Sequence, residues 1–287
     1  VSMHFVSMNE HHYELIAIDL DGTTLTGSKT IGDRTRWAVN QALEQGIQVV
    51  FCTGRSQSQF QQYLTAFPQM RYAIASGGAV IYDVSDWKKL FSRQLEPEMV
   101  LEILRMAQEV DCMPFLSVEG QAVHPAAVEQ EAETYGLEGY LYEMTHFSLA
   151  VEDIYAWYEA DPKPVEAIAL DVRERALLNL FREKLTGMPV HLSFPADPCV
   201  EISRRGADKG TALTALCAYL GIPMERTMMI GDSDNDIPAL TKAGFAVAMK
   251  NAPKKVRIWA QAVTEDCDHD GVGLAIEGWA LRRDGAV

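Results

Sequence analysis

Long hydrophobic runs are missing from this sequence: no apolar stretch approaches the roughly 18 residues that a bilayer-crossing helix needs. Basic charge is scarce too. Lys and Arg number 25 against 40 Asp and Glu, a formal net charge of −15 in 287 residues. So acidic a chain lacks the basic face by which nucleic acid or an anionic membrane surface is held. A small anionic substrate needs only a local positive pocket and is not excluded. Cysteine is sparse: Cys52, Cys112, Cys199, Cys217 and Cys267 are odd in number, scattered, and form no C-x-x-C. That pattern argues against a disulfide framework and for a reducing, cytoplasmic setting. The first twelve residues lack the basic start and long apolar stretch of a signal peptide and read as a frayed lead-in.

What is present is ordinary globular material, 48% hydrophobic and 23% charged, in a chain long enough for about two domains. The first part alternates strand and helix. Apolar Tyr13 to Leu20 is followed by a helix over about 33–45 that Gly46 stops, strand 47–53, a helix over about 56–66, and strand 72–76. The last third resumes the rhythm with helix 209–220 stopped by Gly221, then strands at 227–230, 245–249 and near 263, and a closing helix over about 272–282. Near-continuous apolar strands alternating with helices imply an α/β fold with a Rossmann-like parallel sheet, helices on both faces.

The middle differs. Strand 89–95, helix 97–110 and strands 113–118 and 121–124 are expected, then strand 165–171, helix 173–185 and strands 189–194 and 199–203. Both stretches read strand–helix–strand–strand, and each has a Met-Pro before its second strand, so an internal duplication stands as an open alternative to chance. Residues 125–164 are acidic and aromatic and yield no clear reading. The expected organisation is a core of residues 1–83 and 204–287, with an inserted α+β domain over 84–203.

The chemistry-bearing residues cluster where strands end. Asp19 and Asp21 lie in Asp-Leu-Asp-Gly-Thr at the end of the first strand; unrelieved, two such carboxylates repel, and a hard cation such as Mg²⁺ suits them. As an isolated feature, an exposed Asp-Gly turn is the simpler explanation. Thr53-Gly54-Arg55 ends the second strand with a hydroxyl and N–H groups at a helix start, an anion site in kind but a common N-cap in form. Gly231-Asp232-Ser233-Asp234-Asn235-Asp236 ends another strand and again asks for a metal or a cation. Lys209 stands just inside a helix N-terminus, where a positive charge is unfavourable unless an anion is near. Ligands of open parallel sheets bind beyond the carboxyl ends of the strands, so the features gain force together. Carboxylates, metal, a hydroxyl, N–H groups and one Lys are the parts of phosphoryl transfer through an Asp nucleophile.

In this order the motifs DLDGT, FCTGR, Lys209 and GDSDND resemble the four signature motifs of the haloacid dehalogenase (HAD) superfamily of phosphatases, and specifically its Cof-type sugar-phosphatase subfamily. Ala246 to Ala252 (AVAMKNA) and Asp270-Gly271-Val272 match the C-terminal pattern of that subfamily. Only 31 residues separate Asp21 from Thr53, whereas 155 separate Thr53 from Lys209. The insertion therefore follows the second motif, as in the C2 cap class of the superfamily, and its α/β order resembles the Cof-like variety. The resemblance implies a Mg²⁺-dependent phosphatase of small phosphate monoesters, with sugar phosphates foremost, a small phosphorylated metabolite as partner, and no nucleic acid or membrane. Asp19 is then the nucleophile and Asp21 the general acid and base, its carboxyl held partly protonated. Asp19, Asp232 and the Asp21 backbone carbonyl would hold Mg²⁺. Leu20, Thr53, Gly54, Lys209 and Asn235 would hold the phosphoryl group, with Asp236 orienting Lys209 or a metal-bound water.

Two departures stand out: Ser76-Gly77-Gly78-Ala79 replaces the subfamily's usual Asn-Gly-Ala, and Thr24 replaces a commoner Leu. Gly77 and Gly78 are substrate-facing candidates for the first reason. Glu119, His124 and Arg204 are candidates on the inserted domain, which is expected to close about linkers near 83–86 and 203–206. Cys267-Asp268-His269-Asp270 reads better as a surface loop than as a metal site, and Tyr155, Trp157 and Tyr158 read better as packing than as a sugar platform. The alternatives are a phosphomutase with the same aspartyl-phosphate chemistry, a phospho-accepting receiver module, and a silent phosphosugar-binding protein. A receiver of about 120 residues has no inserted domain.

Overall fold

The computed structural model describes residues 13–110, 112–194 and 198–281; the expected lead-in lies outside them. The strands are β1 (Leu15–Ile18), β2 (Gln48–Cys52), β3 (Tyr72–Ala75), β4 (Val80–Asp83), β5 (Lys88–Ser92), β6 (Cys112–Val118), β7 (Gln121–Pro125), β8 (Ser148–Val151), β9 (Val165–Val172), β10 (Val190–Ser193), β11 (Cys199–Arg204), β12 (Thr227–Gly231), β13 (Phe245–Ala248) and β14 (Ala262–Val263). They form an eight-stranded sheet ordered β14-β13-β12-β1-β2-β3-β4-β5 and a six-stranded sheet ordered β10-β11-β9-β6-β7-β8.

From β14 to β3 the first sheet is parallel. Its strands alternate between two buried faces: Ile16 and Ile18 enter one apolar cluster with Val49 and Phe51, while Leu15 and Ala17 enter another with Val50 and Cys52. Side chains of a strand alternate faces, so apolar residues at consecutive positions require cover on both sides. Helices Asp33–Glu44 and Gly271–Trp279 pack on one side, and helix Lys209–Leu220 on the other.

Three expectations need correction. The stretch 56–66 is one short α-turn, Gln57–Phe60, followed by a 3-10 helix, Gln61–Ala66. The edge of the sheet is antiparallel, through β4 and β5, because a short glycine turn after β3 reverses the chain at once. With β5 in the first sheet, the core extends to Ser92 rather than stopping at 83. The chain crosses between sheets near 93–95, where Arg93 N–H still bonds Ala79 and Leu95 already bonds Val165, and returns near 205–207. The two stretches of the suspected duplication share a helix followed by an antiparallel strand pair, while their first strands, β5 and β9, lie in different sheets.

In the second sheet the period of two separates function from packing. Ile168, Leu170 and Val172 of β9 join Val200 and Ile202 of β11 in an apolar cluster with helix Pro97–Gln108, Tyr155, Trp157 and Tyr158, so these aromatics do pack. Ala167, Ala169 and Asp171 alternate with them and face a cavity above the first sheet. A register shift between Ser117 and Val118 interrupts this alternation. Beside it Glu166, wholly buried, accepts hydrogen bonds from Ser117 Oγ at 2.7 Å and Gly120 N–H at 3.2 Å within its own sheet. It also accepts from Lys89 Nζ at 2.9 Å, Ser76 Oγ at 3.3 Å and the Tyr82 hydroxyl at 3.4 Å, all on the first sheet. The turn after β6 docks beside it, where Ser58 N–H bonds Gly120 and Ala122 N–H bonds Ser58 Oγ.

Candidate active site

The carboxyl ends of β1, β2 and β12 open on a cavity of about 380 Å³. Asp19 follows β1 directly, its N–H bonded to the Ile230 carbonyl of β12. Its Oδ1 accepts from Lys209 Nζ at 2.7 Å, and the same ammonium donates to Asp236 Oδ1 at 2.6 Å. Lys209 is 1% exposed. This explains a lysine at the start of a helix: Asp208 caps the helix through Thr211 N–H, and the ammonium turns away to lie between two buried carboxylates. Asp236 Oδ2 accepts from the N–H groups of Asp232 and Ser233, both at 2.9 Å, which fixes the loop after β12.

Asp232 Oδ1 accepts from Thr23 Oγ1 at 2.8 Å. Gly22 has φ +72°, and a Cβ there would lie 2.4 Å from Asp232 Oδ2, so only glycine lets the first loop approach the last. Asn251, within the C-terminal motif, donates to the Gly22 carbonyl at 2.8 Å and to Asp232 at 3.3 Å. Thr53 Oγ1 accepts from Arg55 N–H at 3.1 Å, at the end of β2. Leu20 is buried in the core beneath this turn.

Carboxylate oxygens of Asp19, Asp232 and Asp236 lie within 4.8 Å of one another. Burial and the negative charges of its two neighbours push Asp19 well above the ordinary carboxylate range, against the pull of Lys209. Burial, then the charge of Asp236, pushes Asp232 up to about 7. One ammonium does not neutralise three carboxylates, and oxygen donors fit a hard divalent cation. Asp236 already spends both oxygens on Lys209 and two N–H groups, which leaves Asp19 and Asp232 as the carboxylates suited to hold it.

Asp21 departs from expectation. Its carboxylate turns from the cluster and accepts from Arg55 Nε at 2.7 Å, Arg55 Nη2 at 2.8 Å and Lys29 Nζ at 2.6 Å. These cations outweigh its burial and hold it far below the usual range, so it is ionised here and not partly protonated. Arg55 and Lys29 are residues that sequence reasoning did not assign; the Thr-Gly-Arg motif already contained the first, and nothing local marked the second.

The inserted segment supplies the far wall. Glu143 of helix Leu141–Phe147 approaches Arg55 Nη2 at 3.4 Å, and the Tyr140 ring covers Lys29 Nζ at 4.2 Å. Glu201 of β11 accepts from Asn235 Nδ2 at 3.3 Å, and its carboxylate lies so near Gly54 that a Cβ there would be 2.8 Å from it. Asp171, beside Cys199, is pushed up to about 7 by burial. None of these wall residues was singled out by sequence.

The proposed substrate readers fall elsewhere. Glu119 sits at an exposed turn and pairs with Lys163; Arg204 pairs with Glu96. His124 is 1% exposed, with Nε2 3.2 Å from the Met144 carbonyl, so it supports the helix that carries Glu143. Gly78 has φ +97°, and a Cβ there would lie 2.3 Å from the Asp208 carbonyl, so it serves the seating of the Lys209 helix. Gly77 faces Glu201, its virtual Cβ 4.0 Å from Oε2. Around Cys267, Asp268 accepts from Gly27 N–H and Asp270 from Thr35 N–H, which ties down a surface loop.

A doubly covered parallel sheet with clustered acids and a buried lysine beyond its strand ends has the ligand site of an open α/β fold. The match extends through the chain: residues 16–276 fit the model of haloacid dehalogenase-like hydrolases, and the chain belongs to that family. It is 27% identical to the 5-amino-6-(5-phospho-D-ribitylamino)uracil phosphatase YcsE of Bacillus subtilis, over 93% of this chain and 96% of that one. It is 30% identical to the phosphatase YwpJ of the same organism, over 90% and 97% of the two chains. A solved haloacid dehalogenase-like hydrolase from B. subtilis superposes with a TM-score of 0.84 at 26% identity, covering 92% of this chain and 99% of that one. The chain is a phosphatase of this family. Among the described residues no helix is long and apolar enough to cross a membrane.

Proposed function

We propose that the chain hydrolyses small phosphate monoesters, sugar phosphates among them, through a phosphoryl group carried transiently by Asp19. The observation that supports this most is the buried Asp19–Lys209–Asp236 arrangement beside Asp232. An Asp19 oxygen attacks phosphorus, the ester P–O bond breaks, and the leaving oxygen takes a proton from Asp21. Water then attacks the same phosphorus, gives its proton to Asp21, and phosphate leaves with Asp19 restored. Lys209, the Thr53 hydroxyl, the N–H groups of Leu20 and Gly54, and Asn235 hold the phosphoryl oxygens.

Asp19, Asp232 and the Asp21 carbonyl would hold Mg²⁺, which when bound would neutralise charge on the transferring group. For Asp21 to act first as an acid, Arg55 and Lys29 must loosen their hold on it. An incoming phosphate offers both cations another anion. The six-stranded sheet acts as the cap, and its closure excludes water from the first step. A cytoplasmic setting is supported by the cysteines, none of which is in a disulfide among the described residues.

The test is phosphate release from a panel of phosphate monoesters with Mg²⁺, with EDTA, and with Asp19→Asn. Activity that needs both the metal and Asp19 is expected. Near-full activity of Asp19→Asn defeats the reading, and transfer to a sugar hydroxyl in place of water replaces it with the phosphomutase.

A further inference from the structure

Two of the groups read above as holding the phosphoryl oxygens, Gly54 and Asn235, already have an acid of this chain against them. Glu201 stands on β11, in the inserted segment, and its carboxylate meets the core at the cavity. Its Oε2 accepts from Asn235 Nδ2 at 3.3 Å and from Ser193 Oγ at 3.1 Å. The Asn235 amide is held in this orientation, because Ser233 Oγ donates to its Oδ1 at 2.8 Å. Glu201 Oε1 points at Gly54: a Cβ there would lie 2.8 Å from Oε1 and 3.7 Å from the carboxylate carbon. The same position lies 3.6 Å from Asn235 Nδ2, so glycine, amide and carboxylate meet at one place. Any side chain on residue 54 would drive the carboxylate off.

We propose that Glu201 is a built-in competitor of phosphate: its carboxylate stands in for a phosphoryl oxygen at Asn235 and Gly54, gives way when substrate binds, and returns to expel the product. A carboxylate and a phosphate offer the same kind of anionic oxygen to an amide N–H. The amide has two hydrogens, but two anions brought together at one amide repel each other. The displaced carboxylate is not stranded. Ser193 lies opposite Glu201 in the β10–β11 pair and goes on donating to it within its own sheet. Displacement therefore breaks only the bond between the inserted segment and Asn235. While the site is empty, the same bond keeps the Asn235 donor satisfied. The gain is in turnover: product phosphate presents the oxygens that the substrate presented, and a site that held both equally would be slow to clear. Glu201 takes no part in making or breaking bonds to phosphorus.

This inference rests on the phosphatase reading above, and the test separates the two. Hydrolysis of p-nitrophenyl phosphate by the full chain with Mg²⁺ is followed with inorganic phosphate as inhibitor. Glu201→Gln keeps the side-chain shape and can still accept from Asn235 and Ser193. Its phosphate Ki is expected to fall about tenfold, because a charge-assisted hydrogen bond is about twice as strong as a neutral one. KM falls with it, while kcat does not rise. Loosening of the fold would raise both Ki and KM, so the direction of the change separates competition from a structural role. Asp171→Asn, assayed at pH 8 where a carboxyl raised to about 7 is mostly ionised, removes another acid facing the cavity. It is expected to change Ki by less than about threefold, the scale of a screened charge beyond contact. Glu201→Ala serves if the glutamine variant fails to fold, and the same fall in Ki is expected. An unchanged or higher Ki in a folded Glu201 variant, or an equal fall in Asp171→Asn, overturns the proposal while leaving phosphatase activity in place. Absence of any hydrolysis by the parent protein defeats the phosphatase reading and this proposal with it.

Discussion

Replacing Glu166 by alanine is expected to destabilise the protein by about 3–5 kcal/mol, the range for breaking a buried charged group away from its partners. The side chain is wholly inaccessible, and five donors converge on it, from Ser76, Tyr82, Lys89, Ser117 and Gly120. The hydroxyls can rotate to other acceptors. The Gly120 N–H cannot, and a buried donor left unsatisfied costs about 1–3 kcal/mol. The ion pair contributes less than its 2.9 Å distance suggests, because Lys89 is 34% exposed and can recover water. A double-mutant cycle with Lys89→Met in urea unfolding therefore yields a coupling near 1 kcal/mol, well below the loss from Glu166→Ala alone. Because the same carboxylate joins the two sheets, kcat/KM falls by about tenfold or more even where the protein remains folded. A loss below about 1 kcal/mol, or a coupling that accounts for nearly all of it, refutes the reasoning.

Asp171 has its carboxyl raised from 3.8 to about 7 by burial. The folded state therefore binds more protons than the unfolded state between those values, and stability falls as pH rises through that window. Asp171→Asn is expected to raise the melting temperature at pH 8, with a ceiling of about 4 kcal/mol at roughly 1.4 kcal/mol per pH unit, and to change little at pH 4. An equal effect at both values defeats the assignment. Gly78→Ala sets a methyl 2.3 Å from the Asp208 backbone at a φ of +97°; a loss of about 2–4 kcal/mol and a kcat reduced more than tenfold are expected, while a normal kcat means that the Lys209 helix does not depend on this contact. Adding Mg²⁺ to metal-free protein is expected to raise the melting temperature by several degrees, since a cation at 100 times its Kd adds about 2.7 kcal/mol. Asp232→Asn should abolish that shift, as followed by differential scanning calorimetry.

The parallel core was legible because its strands are short apolar runs bounded by helix stops, and burial on both faces leaves no other use for a sequence such as Leu-Ile-Ala-Ile. The core motifs were legible because Asp19, Thr53, Lys209 and Asp232 all sit where a strand ends or a helix begins, positions set by local pattern. The boundary of the inserted segment was not. Lys88–Ser92 has the composition of any exposed edge strand, and only the turn at Ser76 to Ala79 decides which sheet receives it.

Of the site, the sequence by itself marked Asp19, Asp232 and Lys209, because each stands where a strand ends or a helix begins, and ligands of a parallel sheet bind beyond those ends. The tertiary structure alone decided the protonation of Asp21 and the identity of the cavity wall. Asp21 is ionised because Lys29, eight positions along the chain, and Arg55, 34 positions along it, converge on its carboxylate, a charge balance that the motif itself does not encode. Glu143, Asp171 and Glu201 face the cavity because of strand parity and helix placement in a second sheet. Glu119 and Arg204, equally polar and equally close to turns, face solvent for the same reason.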